Sequence, residues 1–206
     1  MKIAGLIMAA GQSSRFNACK QLAKINDQTL LDLAIHKLKS TQVDAIYLVT
    51  GYWHHLIYQA LGQPSQQQQN KDNLYIVHNP NWQQGLGNSI AFAVTELKQH
   101  YDAILITLAD QVAISADEYN QLINQFKQTQ PQPDIVCAKY QNKRGVPAIF
   151  GQNLFPQLTE LNSNQGAKKM LYQNNLTLIE IMLTNAATDI DTQADLASWQ
   201  HIQTKK

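Results

Sequence analysis

The sequence predicts a doubly wound α/β fold, with a mostly parallel sheet and helices on both faces. Three observations point there. Apolar runs of strand length alternate with helix-length amphipathic stretches from one end of the chain to the other. Runs such as Ala103–Leu108, AILITL, are apolar at every residue and not at alternate ones, as expected of parallel strands covered on both faces. The chain has 206 residues, 44% of them hydrophobic, enough to build such a core without disulfide or metal staples.

The first strand is Ile3–Met8. The opening MKIAGLIMAAG has the lysine, apolar stretch and small residues of a signal peptide. Its apolar part is short, however, and a Gly/Ser loop carrying Arg15 and Lys20 follows, so a buried strand is the reading adopted. Thr29–Lys39 is a helix with Leu30, Leu31, Ala34, Ile35 and Leu38 on one face. Ala45–Thr50 and Leu74–Val77 are strands. Between them Gly62–Asn73, GQPSQQQQNKDN, has too little apolar surface to pack and is read as an exposed loop. Gly87–Lys98 is a helix and Ala103–Leu108 a strand. Ala116–Phe126 is a helix opened by the capping box Ser115 to Glu118. Asp134–Ala138 and Leu176–Ile181 complete the strands. No repeat is visible, and the strand–helix rhythm resumes unbroken at Leu74, so residues 1–206 are expected to form a single domain.

Charged residues are only 15% and the net charge is +1, which excludes a generally basic nucleic-acid binder and an acidic tail protein. Cys19 and Cys137 are the only cysteines and form no CxxC pattern, which suits a reducing cytosol. No apolar run approaches the 18 or so residues of a membrane span. The expectation is a soluble, cytoplasmic protein with neither nucleic acid nor membrane as partner.

In a doubly wound sheet, ligands bind at the carboxyl ends of the strands. The loop after the first strand, Ala9–Lys20, reads AAGQSSRFNACK. Small residues such as Ala9, Ala10, Gly11 and Ser13 allow close backbone approach, and successive N–H groups can cradle an anion. Arg15 can grip phosphate oxygens bidentately, and Lys20 adds a point charge. With a single glycine the loop is neither a Walker A nor a GxGxxG motif, and a tight βα turn with two solvated cations is equally compatible with its composition. Asp110 stands one small residue beyond the strand Ala103–Leu108, at the edge of the same crevice. Its carboxylate could hold Mg²⁺, which takes one or two carboxylates plus phosphate oxygens; a cap for the segment near Gln111 is the other reading. Near the C-terminus Asp189, Asp191 and Asp195 occur in DIDTQADL. Thr192 and Asp195 look like a helix start, while Asp189 and Asp191 share a side if the chain is extended there. In Asn79–Ile90, Gly85 and Gly87 permit close approach, Ser89 sits in a first helical turn where it could meet a nucleobase, and Trp82 is read as a lid or core residue. The histidines show no metal-ligand spacing and are read as structural or exposed.

Together these segments resemble the MobA-like nucleotidyltransferases, and among them the molybdenum cofactor cytidylyltransferases, from about Leu6 to Leu196. The family's opening motif is matched by MAAGQSSRFNACK, with Arg15 and Lys20 in register. Its N-x-x-W-x-x-G-x-x-x-S segment is matched by Asn79, Trp82, Gly85 and Ser89. Its D-Q-P, G-x-P-A and D-I-D-T-P-x-D-L segments are matched by Asp110-Gln111, by Gly145, Pro147 and Ala148, and by Asp189–Leu196. The resemblance implies a Rossmann-like sheet of the nucleotide-sugar-transferase type, and transfer of a nucleotidyl group to an acceptor phosphate with release of pyrophosphate. It also implies that the Gly11 loop, Arg15 and Lys20 hold the triphosphate, that Asp110 and Asp191 hold Mg²⁺, and that Gly85 and Ser89 lie beside the base. Ala10 matches the cytidylyl type, where the guanylyl type has glycine, so CTP is the implied nucleotide. The implied acceptor is a phosphorylated pterin such as the molybdenum cofactor, with a molybdoenzyme as a partner protein.

The sequence departs from the pattern at Asn17 for glycine, at Val112 and Gln193 for prolines, and at Ser163, Asn164 and Lys168 in a segment read as lying near the acceptor. These departures leave two rivals: a nucleotidyltransferase using GTP or ATP, or acting on a sugar phosphate, and a non-catalytic chaperone that binds the molybdenum cofactor.

Overall fold

The computed structural model describes residues 1–162 and 164–203. In chain order the elements are β1 (Ile3–Ala9), β2 (Lys24–Ile25), β3 (Gln28–Thr29), α1 (Leu30–Lys39), β4 (Ala45–Thr50), α2 (His54–Ala60), α3 (Gln66–Asp72) and β5 (Leu74–His78). Then come α4 (Leu86–Leu97), β6 (Ala103–Leu108), α5 (Ala116–Gln128), β7 (Ile135–Tyr140), β8 (Lys143–Gly151), α6 (Phe155–Thr159), β9 (Leu178–Met182) and α7 (Gln193–Gln203). β2 and β3 form a small separate hairpin. The main sheet has seven strands in the order β5-β4-β1-β6-β8-β7-β9.

Every neighbouring pair is parallel except those made by β8, which runs against both β6 and β7. The expected mostly parallel sheet is therefore present, with one reversed strand that the apolar pattern does not announce. β8 begins Lys-Arg-Gly-Val-Pro, a composition that reads as a turn.

Alternate residues of the central strands feed two cores. Ile3 and Ile7 of β1 and Leu105 of β6 pack with Leu31, Ile35 and Leu38 of α1, Ile57 of α2 and Phe126 of α5. Leu6 and Met8 of β1 with Ile104 and Ile106 of β6 pack with Ile90 and Val94 of α4 and Leu158 of α6. Within the MKIAGLIMAAG opening, Ile3–Ala9 is a strand buried at every residue.

Two boundaries have clear local causes. Thr29 and Asp32 make a capping box at the start of α1, and Ser115 with Glu118 makes the expected one on α5. One expectation is corrected: residues Gln66–Asp72, read as part of an exposed loop, form a short helix. Gln is a good helix former, and the helix is tied down by its own amides. Gln69 Oε1 accepts from Ile76 N–H at 2.9 Å, and Gln69 Nε2 donates to the Pro64 carbonyl at 3.2 Å.

The register puts the future site together. Met8 lies between Val49 of β4 and Leu108 of β6, and Ala9 is beside Thr50. From β1 the chain moves outward to β4 and β5, and then crosses to β6 on the other side of β1. The loops after β1 and β6 diverge at that point and leave a crevice between them.

A third, small core lies beneath the loop after β1. Phe16 is buried there with Ile25, Leu30, Val112 and Ile190. Phe16→Ala is expected to lower the unfolding free energy by about 3 kcal/mol, the usual cost of deleting a buried ring. Denaturant titration measures this, and faster amide exchange across the loop after β1 should accompany it.

Candidate active site

The loop after β1 leaves the sheet at Ala10 and turns at Ser13. Phe16 N–H and Asn17 N–H both donate to the Ser13 carbonyl, at 2.9 and 3.1 Å. Ser13 and Asn17 both have positive φ, 55° and 57°. Asn17 thus adopts the left-handed conformation that the glycine of the related motif would take without strain, and asparagine tolerates it better than most residues. The amides of Gly11 and Ser14 donate to no other group among the described residues, and Ser13 Oγ is buried without a partner. Unspent donors of this kind suit an anion.

Three segments far apart in sequence meet at one ammonium group. Lys20 Nζ donates to Asp110 Oδ2 in a very short contact, and to Asp191 Oδ1 at 3.0 Å. Arg15, largely exposed, pairs with the other oxygen of Asp191 at 2.9 Å. Lys20 and Asp110 are 13% and 12% exposed at their side chains, so this is a nearly buried pair. Burial alone would lower the Lys20 pKa, but the two carboxylates outweigh it and raise the pKa above the usual lysine value. Asp189 is close to the same group. Desolvation, with the charges of Asp110 and Asp191, pushes it up to about 6.

Gln111 fixes the Asp110 backbone. It is buried, its Nε2 donates to the Val146 and Ala186 carbonyls at 3.0 and 3.2 Å, and its Oε1 accepts from the Thr107 hydroxyl and Leu108 N–H. Ile190 N–H in turn donates to the Asp110 carbonyl at 3.2 Å, which brings Asp191 to the β6 end. Asp195 does not contact Lys20 but accepts from Asp191 N–H at 3.1 Å, behind the cluster. It caps α7 with Thr192 as expected, accepting from Thr192 N–H at 2.8 Å.

The opposite wall is the start of α4. Buried Asn79 donates to Asn88 Oδ1 and to Ser89 Oγ, both at 3.0 Å, so Ser89 is braced and almost fully buried. Gly85 has φ 103°, and an added Cβ would strike Asn164 Oδ1 and come within 3.0 Å of its backbone nitrogen. Trp82 is half-buried at the rim, edge-on to Tyr52 at 5.1 Å. A Cβ on Gly51 would lie 2.5 Å from Trp82 Cβ and 2.6 Å from the Ala10 carbonyl oxygen. The sequence pattern marks Gln111 only as part of a motif and Asn164 only as near the acceptor, and no motif marks Gly51. For Gly51 a signal existed, a glycine at the carboxyl end of a buried strand.

The result is one open cleft of about 400 Å³ at the carboxyl ends of β1 and β6. Every residue expected at the site lines it: Ala9, Ala10, Gly11, Ser13, Arg15 and Lys20 on one side, Asp110 and Asp191 at the floor, Gly85 and Ser89 opposite. Of the divergent segment, Asn164 lines this cleft, Lys168 lies outside it and Ser163 falls outside the described residues.

Divalent metal fits the donor set. Asp110 Oδ1 is buried with no hydrogen-bond partner, and all candidate donors are hard oxygens. No group of three or more metal-ligating side chains occurs among the described residues. Two carboxylates plus substrate oxygens and waters is the coordination that Mg²⁺ favours. No helix among the described residues is long and apolar enough to cross a membrane.

Residues 5–178 match the model of the MobA-like NTP transferase domain, and the chain belongs to that family of nucleotidyltransferases. Its curated relatives include the purine catabolism protein PucB of Bacillus subtilis (strain 168), 24% identical over 194 residues, which span 91% of each chain. Molybdenum cofactor cytidylyltransferase of Escherichia coli (strain K12) is 24% identical over 190 residues, or 92% of this chain and 91% of that protein. Among solved structures, the manganese complex of Rv0371C from Mycobacterium tuberculosis H37Rv has a TM-score of 0.75 at 20% identity, covering 98% of this chain and 99% of that one.

Two outcomes follow from the geometry. Gly85→Ala should displace the Asn164 segment and weaken nucleotide binding, because the added Cβ meets backbone that cannot swing away. Calorimetry would show a raised Kd with little change in secondary structure by circular dichroism. Asp189 binds its proton more tightly in the folded chain than in the unfolded one, so the fold loses stability as pH rises from about 4 to about 6 through this group. Asp189→Asn should therefore raise the unfolding free energy at pH 7 but not at pH 4, measured by denaturant titration at both values.

Proposed function

We propose that the chain transfers a nucleotidyl group, CMP from CTP, to the phosphate of an organic acceptor and releases pyrophosphate. The observation that carries this reading is the convergence of Lys20, Asp110 and Asp191 at the floor of a cleft whose wall offers unspent amides and the Ser13 hydroxyl. The loop amides, Ser13 and Arg15 bind the triphosphate, and Lys20 turns from the carboxylates toward it. Gly85 and Ser89 bound the base, and Ala10, where the guanylyl type has glycine, favours CTP. Asp110 and Asp191 would hold Mg²⁺; that a mycobacterial protein of this fold, Rv0371C, was solved with manganese supports a divalent cation. When bound, the metal neutralises charge on the phosphates and on the leaving pyrophosphate.

An oxygen of the acceptor phosphate attacks the α-phosphorus as the bond to the β-phosphate oxygen breaks, and pyrophosphate carries away that electron pair. Such transfers depend on in-line positioning and charge stabilisation. The braced cleft supplies the first, and Lys20 and Arg15 contribute to the second. A pterin-type acceptor belongs to the phosphate class, and a molybdoenzyme is then the partner protein. The whole chain acts as one catalytic domain, in the cytoplasm.

Asp110→Asn is expected to abolish pyrophosphate release with CTP and Mg²⁺ while the unfolding transition stays cooperative; full turnover in this variant would refute the metal role. Lys20→Ala should weaken CTP binding by about 1.5–3 kcal/mol, the worth of one charge-assisted bond. Competition among the four nucleoside triphosphates tests the choice of base.

A further inference from the structure

A second cavity, of about 210 Å³, opens beside the nucleotide cleft and shares Met8, Leu86 and Leu108 with it. A guest there would sit next to the nucleotide. The body of the cavity is apolar: Ile90 of α4, Ile106 of β6, Val146 and Phe150 of β8, with Ala167 and Leu171 closing it. No acidic side chain lines it.

Several of its polar groups are committed; the Tyr140 hydroxyl and the Gln165 side-chain amide, also in its lining, are the exceptions among the described residues, beside the rim lysines. Arg144 Nε donates to Glu180 Oε1 at 2.6 Å, Nη1 donates to the Leu171 carbonyl at 2.7 Å, and the guanidinium lies 5.5 Å from the Tyr172 ring centroid. The Val146 carbonyl is taken by Gln111, and the Gln165 carbonyl by Lys168 N–H. Lys143 and Lys168 stand at the rim, both exposed, and neither is paired with a carboxylate among the described residues.

We infer that this cavity takes the acceptor, and that the acceptor is an organic phosphate with a compact apolar body, its anionic group facing Lys143 and Lys168. The inference rests on the nucleotidyl-transfer reading and narrows it. A sugar phosphate would bring more hydroxyls into this largely apolar cavity than Tyr140 and Gln165 can pair, and burying the remainder unpaired is costly. Size sets the other limit. A cavity of about 150 Å³ holds one benzene ring, so 210 Å³ takes a single substituted ring or a short branched chain. One of the divergent residues fits this assignment. Lys168, which departs from the pattern of the related motif, is one of the two rim cations, and Ala167 beside it forms the apolar wall.

The test is calorimetric titration of the full chain with benzyl phosphate, benzyl alcohol and glucose 1-phosphate, with CTP and Mg²⁺ titrated separately. Benzyl phosphate should bind about tenfold more tightly than glucose 1-phosphate, the scale set by leaving one or two polar groups unpaired. Ala167→Phe, which fills the cavity, should abolish that binding. Lys168→Glu, a surface change that leaves the core intact, should weaken benzyl phosphate but neither benzyl alcohol nor CTP. Equal or tighter binding of glucose 1-phosphate overturns the inference. So does a chain that binds CTP and no benzyl phosphate, or an affinity for benzyl phosphate that Lys168→Glu does not change. A chain that binds benzyl phosphate and no nucleotide overturns the acceptor role through the nucleotide reading instead.

Discussion

The Lys20 ammonium is the constraint on which the rest of the site depends. It joins the loop after β1 to Asp110 at the end of β6 and to Asp191, 171 residues away from it in sequence. Two carboxylates brought this close in a half-buried cleft repel each other, and a cation between them offsets that repulsion. Asp189 shows what happens to a carboxylate in the same neighbourhood without such a direct partner: it is pushed up to about 6. The floor therefore carries more carboxylate than ammonium, while Arg15 and the loop amides stand at the rim. A cation and a polyanion entering together satisfy both layers at once.

Neutral groups hold the charged ones in place. Gln111 ties β6 to the β8 strand and to Ala186, and Asn79 ties the end of β5 to the first turn of α4. Both are buried and hydrogen-bonded at both ends of the amide, which makes them rigid spacers. Gly51 and Gly85 do the complementary work. Each lets backbone come closer than any side chain would allow, so that the three walls of the cleft can meet.

The central strands were legible because burial on both faces demands apolar residues without alternation, and β1, β4 and β6 obey that demand. β8 escaped because Gly145 and Pro147 fall inside it and its first residues are charged; its identity as a strand depends on pairing with β6 and β7, which no local pattern encodes. α3 escaped for the reverse reason, since a run of glutamines has helical propensity but no apolar face to display it. At the site, Arg15, Lys20, Asp110 and Asp191 could be picked out by residue type and by position at strand ends. What they do to one another could not, because the Lys20 bridge spans most of the chain. Gln111 was visible only as part of a motif, and its bracing role appears once Val146 and Ala186 are seen beside it.

The most direct test of this account is thermal unfolding of the chain with each nucleoside triphosphate, with and without Mg²⁺. A ligand at about a hundred times its dissociation constant adds about 2.7 kcal/mol. For a domain of this size that is a rise in Tm of roughly 5–10 °C. The account predicts such a rise with CTP and Mg²⁺ together, a much smaller one when either is omitted, and its loss in Asp110→Asn. A midpoint unmoved by every nucleotide, or moved equally in Asp110→Asn, would contradict it.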